Sequence, residues 1–351
     1  MGMRNMVVVG LVAMVCAGAG LRCRAQSQDA KELIEAVSLK SNLEGSDIQP
    51  WHVRIHYQTT SLVDSQSYQG TIEEWWQSDK RLRVEFVVNG KMRRYDVTDH
   101  GTYASGDLKS LPYVVGGILS DMLWPMPPTT VLAKRSFDDA SGKKLGIQMR
   151  WITISRPSTQ ISRKEQSCER FVWYVAPDTP NLLVAGNEHG TDESAWGSFI
   201  PFQNRTITGR YTEAMGGKIV LKANIEKLEM LPQGVLFDIP TGAAPDHGMQ
   251  VSLKSGDMQN PKLIFSCDFK VPGNVIVRNQ TSKVMLAGVV SAAGQLENVK
   301  AVGGSSELNQ AAVASVQDWQ FFPSIKDGIA VEGKIQILMT YHLRGGFLFM
   351  R

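Results

Sequence analysis

RLRVEFVVNGKMRRYDVTDHG, residues 81–101, is the stretch on which the fold turns. Leu82, Val84, Phe86 and Val88 alternate with Arg81, Arg83 and Glu85. A period of two with one apolar side marks a half-buried antiparallel strand. Asn89-Gly90 is a hairpin signal, because both residues tolerate the positive φ of a tight two-residue turn. It leads into a second strand over 91–98, and Asp99-His100-Gly101 makes the next turn. One segment therefore predicts a meander.

The same pattern extends outward. In 51–58, Trp51, Val53, Ile55 and Tyr57 share one face, while His52, Arg54, His56 and Gln58 share the other. Residues 68–77 (YQGTIEEWWQ) also read as a strand. Before them, 29–40 (DAKELIEAVSLK) carries Leu33, Ile34, Ala36 and Val37 at near-helical spacing. After the meander, 113–123 (YVVGGILSDML) predicts a helix that Trp124-Pro-Met-Pro-Pro128 stops. Strands are expected at 145–155, 169–176, 181–187, 198–212 and 217–228, and Leu236-Phe-Asp-Ile-Pro240 closes the block. From Thr241 to about Asn260 the chain is rich in Gly, Pro, Asp and Ser, which reads as a linker.

The C-terminal block has its own pattern. Residues 284–290 and 296–302 form strands around Ala292-Ala-Gly-Gln295. A helix follows Gly303-Gly-Ser-Ser306, a serine serving as its N-cap, with Leu308, Ala312, Val316 and Trp319 on one face. A long strand then runs over 331–343, with Val331, Ile335, Ile337, Met339, Tyr341 and Leu343 on one side. The expected fold class is α+β: a curved antiparallel sheet with helices, then a small sheet covered by one helix.

Length and composition agree with two domains. The chain has 351 residues, 43% hydrophobic and 20% charged, a globular composition. Residues 6–21 form an apolar run too short to span a bilayer, preceded by Arg4 and followed by small residues. This reads as a secretory signal peptide covering 1–25, cleaved after Ala25, with Ala19 as the other site and an uncleaved membrane anchor as the alternative. Residues 1–25 hold Arg4, Arg22 and Arg24 and no acid, so removing them takes the 37 basic side chains to 34, equal to the 34 acidic ones. The mature chain is then neutral, which gives no basis for nucleic-acid binding. Cys168 and Cys267 remain, and in an oxidising compartment they either pair as a disulfide or stay as two buried thiols.

Residues 284–343 resemble the C-terminal domain of TonB-type proteins. The pattern is strand, Gly turn, strand, Leu-x-x-Ala-Ala helix, Trp-x-Phe-x-Pro, and a Gly before the final strand; Leu308, Ala311, Ala312, Trp319, Phe321, Pro323 and Gly328 stand at those places. The resemblance departs in two ways. The family's Tyr-Pro-x-x-Ala entry is absent, the segment reading FKVPGNVIVRNQTSK, and there is neither a His in residues 6–21 nor a long Pro-rich spacer. It therefore implies a fold and a partner-binding role, not coupling to a membrane motor. Region 27–240 resembles the LolA/LolB-type lipoprotein-carrier fold through its opening helix, Tyr68-x-Gly70, Glu74-Trp75-Trp76, Arg81-x-Arg83, Asp99-x-Gly101 and Phe237-Asp-Ile-Pro240. The expected organisation is signal 1–25, LolA-like domain 27–240, linker 241–278 and TonB-like domain 279–345.

No nucleotide loop, zinc-protease motif or nucleophile elbow is present. Ser141-Gly-Lys-Lys144 matches S-x-x-K only formally and reads as a polar turn. His52 and His56 share a strand face with Arg54, which repels a cation, so they read as solvated. Glu188, His189, Asp192 and Glu193 read as a surface loop without the spacing of a calcium site. No catalytic residue, cofactor or metal is expected. Two binding sites are. In TonB-like domains an edge strand accepts short receptor peptides, which implies a periplasmic or outer-membrane protein segment pairing with 331–343, where Lys334, Gln336, Leu338 and Thr340 select. Trp51, Trp75, Phe86, Tyr95, Trp151 and Trp173 either line a cavity for a lipid or lipoprotein acyl chain or simply fill a core. The expected protein is an exported, non-enzymatic periplasmic adaptor or carrier.

Overall fold

The computed structural model describes residues 29–60, 65–155, 169–187, 193–215, 217–246, 261–266, 282–304, 306–326, 329–344 and 347–350. The expected signal segment and both Cys168 and Cys267 lie outside these residues.

Helix α1 (29–41) opens the described chain, and its Ala30, Ile34 and Val37 are buried along one stripe. The meander follows as β1 (Trp51–Thr60), β2 (Ser67–Ser78), β3 (Arg81–Val88), β4 (Lys91–Thr98) and β5 (Gly101–Ser105). Each strand is antiparallel to the next. Asn89 and Gly90 have φ of 48° and 83°, the double positive φ of a primed hairpin turn. The helix expected over 113–123 breaks at Gly116-Gly117 into α2 (Tyr113–Gly116) and α3 (Ile118–Leu123). Glycine is a poor helix former, and here two occur together. A one-turn helix, α4 (Thr129–Leu132), follows.

The chain continues through β6 (Phe137–Lys144), β7 (Ile147–Ile154), β8 (Glu169–Val175), β9 (Leu182–Asn187) and β10 (Glu193–Gly197), then the small hairpin β11 (Ile200–Phe202) and β12 (Arg205–Ile207), then β13 (Arg210–Met215) and β14 (Lys218–Met230). The single strand expected at 198–212 is thus a hairpin followed by a strand. Ser198 and Gln203, both at φ 52°, turn the chain there without glycine. Two pieces of the expected linker are also strands, β15 (Ala244–Pro245) and β16 (Lys262–Ser266).

In the C-terminal block come β17 (Ser282–Val290), β18 (Leu296–Gly304), α5 (Ser306–Val316), β19 (Gln320–Phe322), β20 (Ser324–Lys326), β21 (Ile329–Val331), β22 (Gly333–Arg344) and β23 (Phe347–Met350). The architecture is richer in strand than the α+β expectation. One 15-stranded sheet runs β15-β5-β4-β3-β2-β1-β14-β13-β10-β9-β8-β16-β19, with the β6–β7 hairpin attached to β8. A separate four-stranded sheet runs β18-β17-β22-β23.

Two main cores result. The first joins the inward residues of β1 to β4, including Trp51, Ile55, Ile72, Val84 and Phe86, to α1, α3, Trp124 and Met126. The second joins β17 and β22 to Leu308, Ala312 and Val316 of α5, with Trp319 and Phe321. The predicted helical face is the buried one. Phe321 enters the second core, whereas its neighbour Phe322 enters the first. Strand neighbours point to opposite sides, so one dipeptide serves both lobes.

Candidate functional site

The small sheet has two edges of unequal character. β22 pairs with β17 from Val290↔Gly333 to Ser282↔Tyr341. On its other side β23 pairs only with Tyr341–Arg344. Among the described residues, Gly333–Thr340 therefore has no second ladder partner. Sequence reading expected one continuous edge over 331–343. The structure interrupts it at Glu332, between β21 and β22, and covers its C-terminal end. Lys334 and Gln336 are exposed, while Ile335 and Met339 are buried beneath α5. Leu338 and Thr340 lie on the strand, and their side chains fall outside the described set.

The opposite edge, β18, is irregular. Its register against β17 shifts twice, between Met285 and Leu286 and between Ala287 and Val289. Asn298 and Gly304 have φ of 54° and 103°. Bulges of this kind twist an edge and stop further pairing. Among the described residues, the regular stretch of this sheet without a second ladder partner is thus Gly333–Thr340.

The six aromatic residues expected to gather around one cavity are divided. Trp51, Phe86, Tyr95 and Trp173 belong to the first core. Trp51 stacks on Trp76 at 6.0 Å and tilts against Trp124 at 6.5 Å, and Phe86 meets Tyr95 edge-on at 6.1 Å. Trp75 is on the other face of β2, because in a strand the inward positions are Ile72, Glu74 and Trp76. Trp151 packs in a separate cluster with Met149, Val172, Tyr174 and Val184.

The inward position Glu74 is the residue that sequence reading missed. It is fully buried, and neither carboxylate oxygen has a hydrogen-bond partner. Burial, with a smaller push from Asp79, lifts its carboxyl well above the ordinary range. The Nε1–H of Trp51 is also buried without an acceptor. Strict alternation through Ile72-Glu-Glu-Trp-Trp76 was the available signal, but the doubled residues concealed it.

On the outer face His52 is buried rather than solvated. Its Nε2 lies 2.8 Å from Glu73 Oε1 and its Nδ1 3.0 Å from Glu229 Oε1. Its ring stacks on Trp75 at 5.1 Å, and the Arg83 guanidinium lies 5.7 Å from the Trp75 ring on the same face. Lys227, then His52, hold Glu229 below the usual carboxylate range. This cluster ties β14, β1 and β2 together. A groove of about 730 Å³ lies at one end of these strands, lined by Gln58, Thr60, Tyr68, Gln69, Asn89 and Lys222 among others. It contains none of the six predicted aromatics.

Among the described residues no group of three or more His, Cys, Asp or Glu could hold a metal ion. Glu193 pairs with Lys144. Ser141 and Lys144 lie on β6 within a strand pair, not in a turn. No described helix is long and apolar enough to cross a membrane.

Comparison with known proteins gives one family match and several similar solved structures. Residues 272–343 match the family model for the Gram-negative bacterial TonB protein C-terminal. The match begins inside the stretch that sequence reading assigned to the linker. The part preceding it is similar to solved structures of the LolA type. A domain described as an outer membrane lipoprotein-sorting protein from Vibrio parahaemolyticus is 8% identical with a TM-score of 0.36, covering 60% of this chain and 95% of its own. A LolA superfamily protein from Nitrosomonas europaea is 9% identical with a TM-score of 0.31, covering 61% and 95%. No curated protein matches the sequence.

Proposed function

We propose that this chain is an exported, non-enzymatic protein of the bacterial envelope that binds a segment of a partner protein as an added strand on Gly333–Thr340. The observation that carries the reading is the asymmetry of the small sheet. One edge is broken by two register shifts, while on the other, among the described residues, Gly333–Thr340 pairs regularly with β17 and has no second ladder partner. Each residue added to such an edge gains main-chain hydrogen bonds, and alternate side chains select the sequence. Lys334 and Gln336 are placed to make that selection. The TonB C-terminal match supports an envelope location, with the periplasm as the compartment.

The test is site-specific photo-cross-linking in cells, with a benzophenone amino acid at Lys334 or Gln336 and at exposed Val302 on β18 as control. One envelope protein captured from 334 and 336 but not from 302 is the expected result. Equal capture from Val302, or none from β22, would overturn it. Cross-links only between copies of this chain would replace an adaptor with a dimer.

A second reading is a carrier that holds an acylated molecule against the inner face of the large sheet. It is favoured by the unpartnered Glu74 and Trp51 in an otherwise apolar core.

A further inference from the structure

Strands β8 and β16 run antiparallel, with Arg170 opposite Phe265 and Glu169 opposite Ser266. One step further in the same direction, the sequence holds Cys168 on one side and Cys267 on the other. The two cysteines lie outside the described residues, one position beyond the described end of each strand. Consecutive rungs fix an antiparallel register, because a slip of one residue turns every side chain to the opposite face. The register shift of β16, between Leu263 and Phe265, is against β19 on its other side and comes before these rungs. Residues directly opposite in an antiparallel pair have Cα atoms about 4.5 or 5.5 Å apart. Both spacings fall within the roughly 4.4–6.8 Å that a disulfide spans.

We propose that Cys168 and Cys267 are joined as a disulfide, one of the two states that the sequence allows, and this rests on the export of the chain argued above. The bond forms by exchange with a dithiol oxidant in its disulfide form. One cysteine thiolate attacks an oxidant sulfur and displaces the other oxidant sulfur as a thiolate, giving a mixed disulfide. The second cysteine thiolate attacks the sulfur of the first and releases the oxidant. The oxidant leaves as a dithiol: it takes up two electrons, and the two cysteine protons end on its sulfurs. The new bond closes a loop that contains β9 to β15. Closing a long loop takes conformational freedom from the unfolded chain, so the bond stabilises the fold. It also fastens β16 to β8 beside their short ladder. Because β16 pairs with β19 on its other side, the bond ties the C-terminal unit to the large sheet.

The experiment isolates the full chain from cells that express it, blocks free thiols with N-ethylmaleimide in denaturant at lysis, and maps tryptic peptides without reductant. The expected product is residues 165–170 (EQSCER) linked to residues 263–270 (LIFSCDFK), lighter by two hydrogen atoms than the two peptides together and separated by dithiothreitol. Cys168→Ser and Cys267→Ser each abolish the linked product, leave the other cysteine open to maleimide and lower the melting temperature by about 5–15 °C. The double variant melts no lower than the single ones. A second arm refolds the reduced, purified chain in a glutathione redox buffer, where the pairing depends on the fold alone. No linked product in that arm, or linkage of either cysteine to Cys16 or Cys23, overturns the disulfide and leaves the strand-binding reading intact. The linked product in the refolded chain, with maleimide on both cysteines in cells, overturns the export reading instead, since no oxidant then reaches a pair that is able to form.

Discussion

Glu74 occupies a position where the surrounding strands would accept leucine. Its folded-state pKa is raised, so its favourable contribution is complete below the ordinary carboxyl value of 4.5 and is lost as pH climbs toward the raised value. The wild-type melting temperature should therefore fall relative to Glu74→Leu as pH rises above the ordinary carboxyl range. At neutral pH the leucine variant should be more stable by about 1–3 kcal/mol, because no carboxyl is left without a partner. A pH series of thermal melts checks both. Parallel curves for the two proteins would show that Glu74 is solvated after all. On the other face, His52 is held between Glu73 and Glu229. His52→Ala should lower the urea midpoint by the equivalent of about 1–3 kcal/mol, with the slope unchanged.

At the scale of elements, strands were legible wherever alternation was clean. The meander of 81–98 was readable from Leu82, Val84, Phe86, Val88 and the Asn89-Gly90 turn. Strand β6 was not, because Asp138, Asp139, Ser141, Gly142 and Lys143 give it no apolar period, and it pairs with β7 through its backbone. The 198–212 segment was misread because its turns use Ser198 and Gln203 rather than glycine. The candidate edge was legible as a strand from its own alternation, and as an edge only through the TonB resemblance. Which strands flank it depends on sheet order, and that is a property of pairing partners far away in sequence. One turn in the same unit carries a test. Gly294 has a φ of 84°, and a Cβ there would collide with the Phe321 carbonyl. Its own carbonyl accepts the Phe321 N–H at 3.0 Å. Gly294→Ala should cost about 2 kcal/mol or more, read as a drop in melting temperature.

For the whole molecule, the boundary between the two lobes is covalent and packed at once. Phe322 lies 5.8 Å from Trp173, and the Arg135 guanidinium stands 6.0 Å from its ring. Lys262 reaches the Pro125 carbonyl at 2.9 Å and Asp121 at 3.6 Å, fastening β16 beside α3. Sequence reading placed a linker here, because Gly, Pro, Asp and Ser dominate 241–260, and nothing in the composition reveals that a later strand pairs back. Phe322→Ala should cost about 3–5 kcal/mol, and the two lobes should still unfold in one transition, followed by tryptophan fluorescence and far-ultraviolet circular dichroism together. Two separated transitions in the wild-type chain would contradict the shared core. The adjacency of Phe321 and Phe322 also limits how this C-terminal unit can be transplanted. A cassette cut at the start of the TonB-like match keeps Phe321 at home and leaves Phe322 without its core, so a graft onto another protein would display a sticky ring. A soluble graft would need polar residues at 322 and at 325, where Ile325 packs in the same first core, whereas such a change at Phe321 would hollow out the unit being moved.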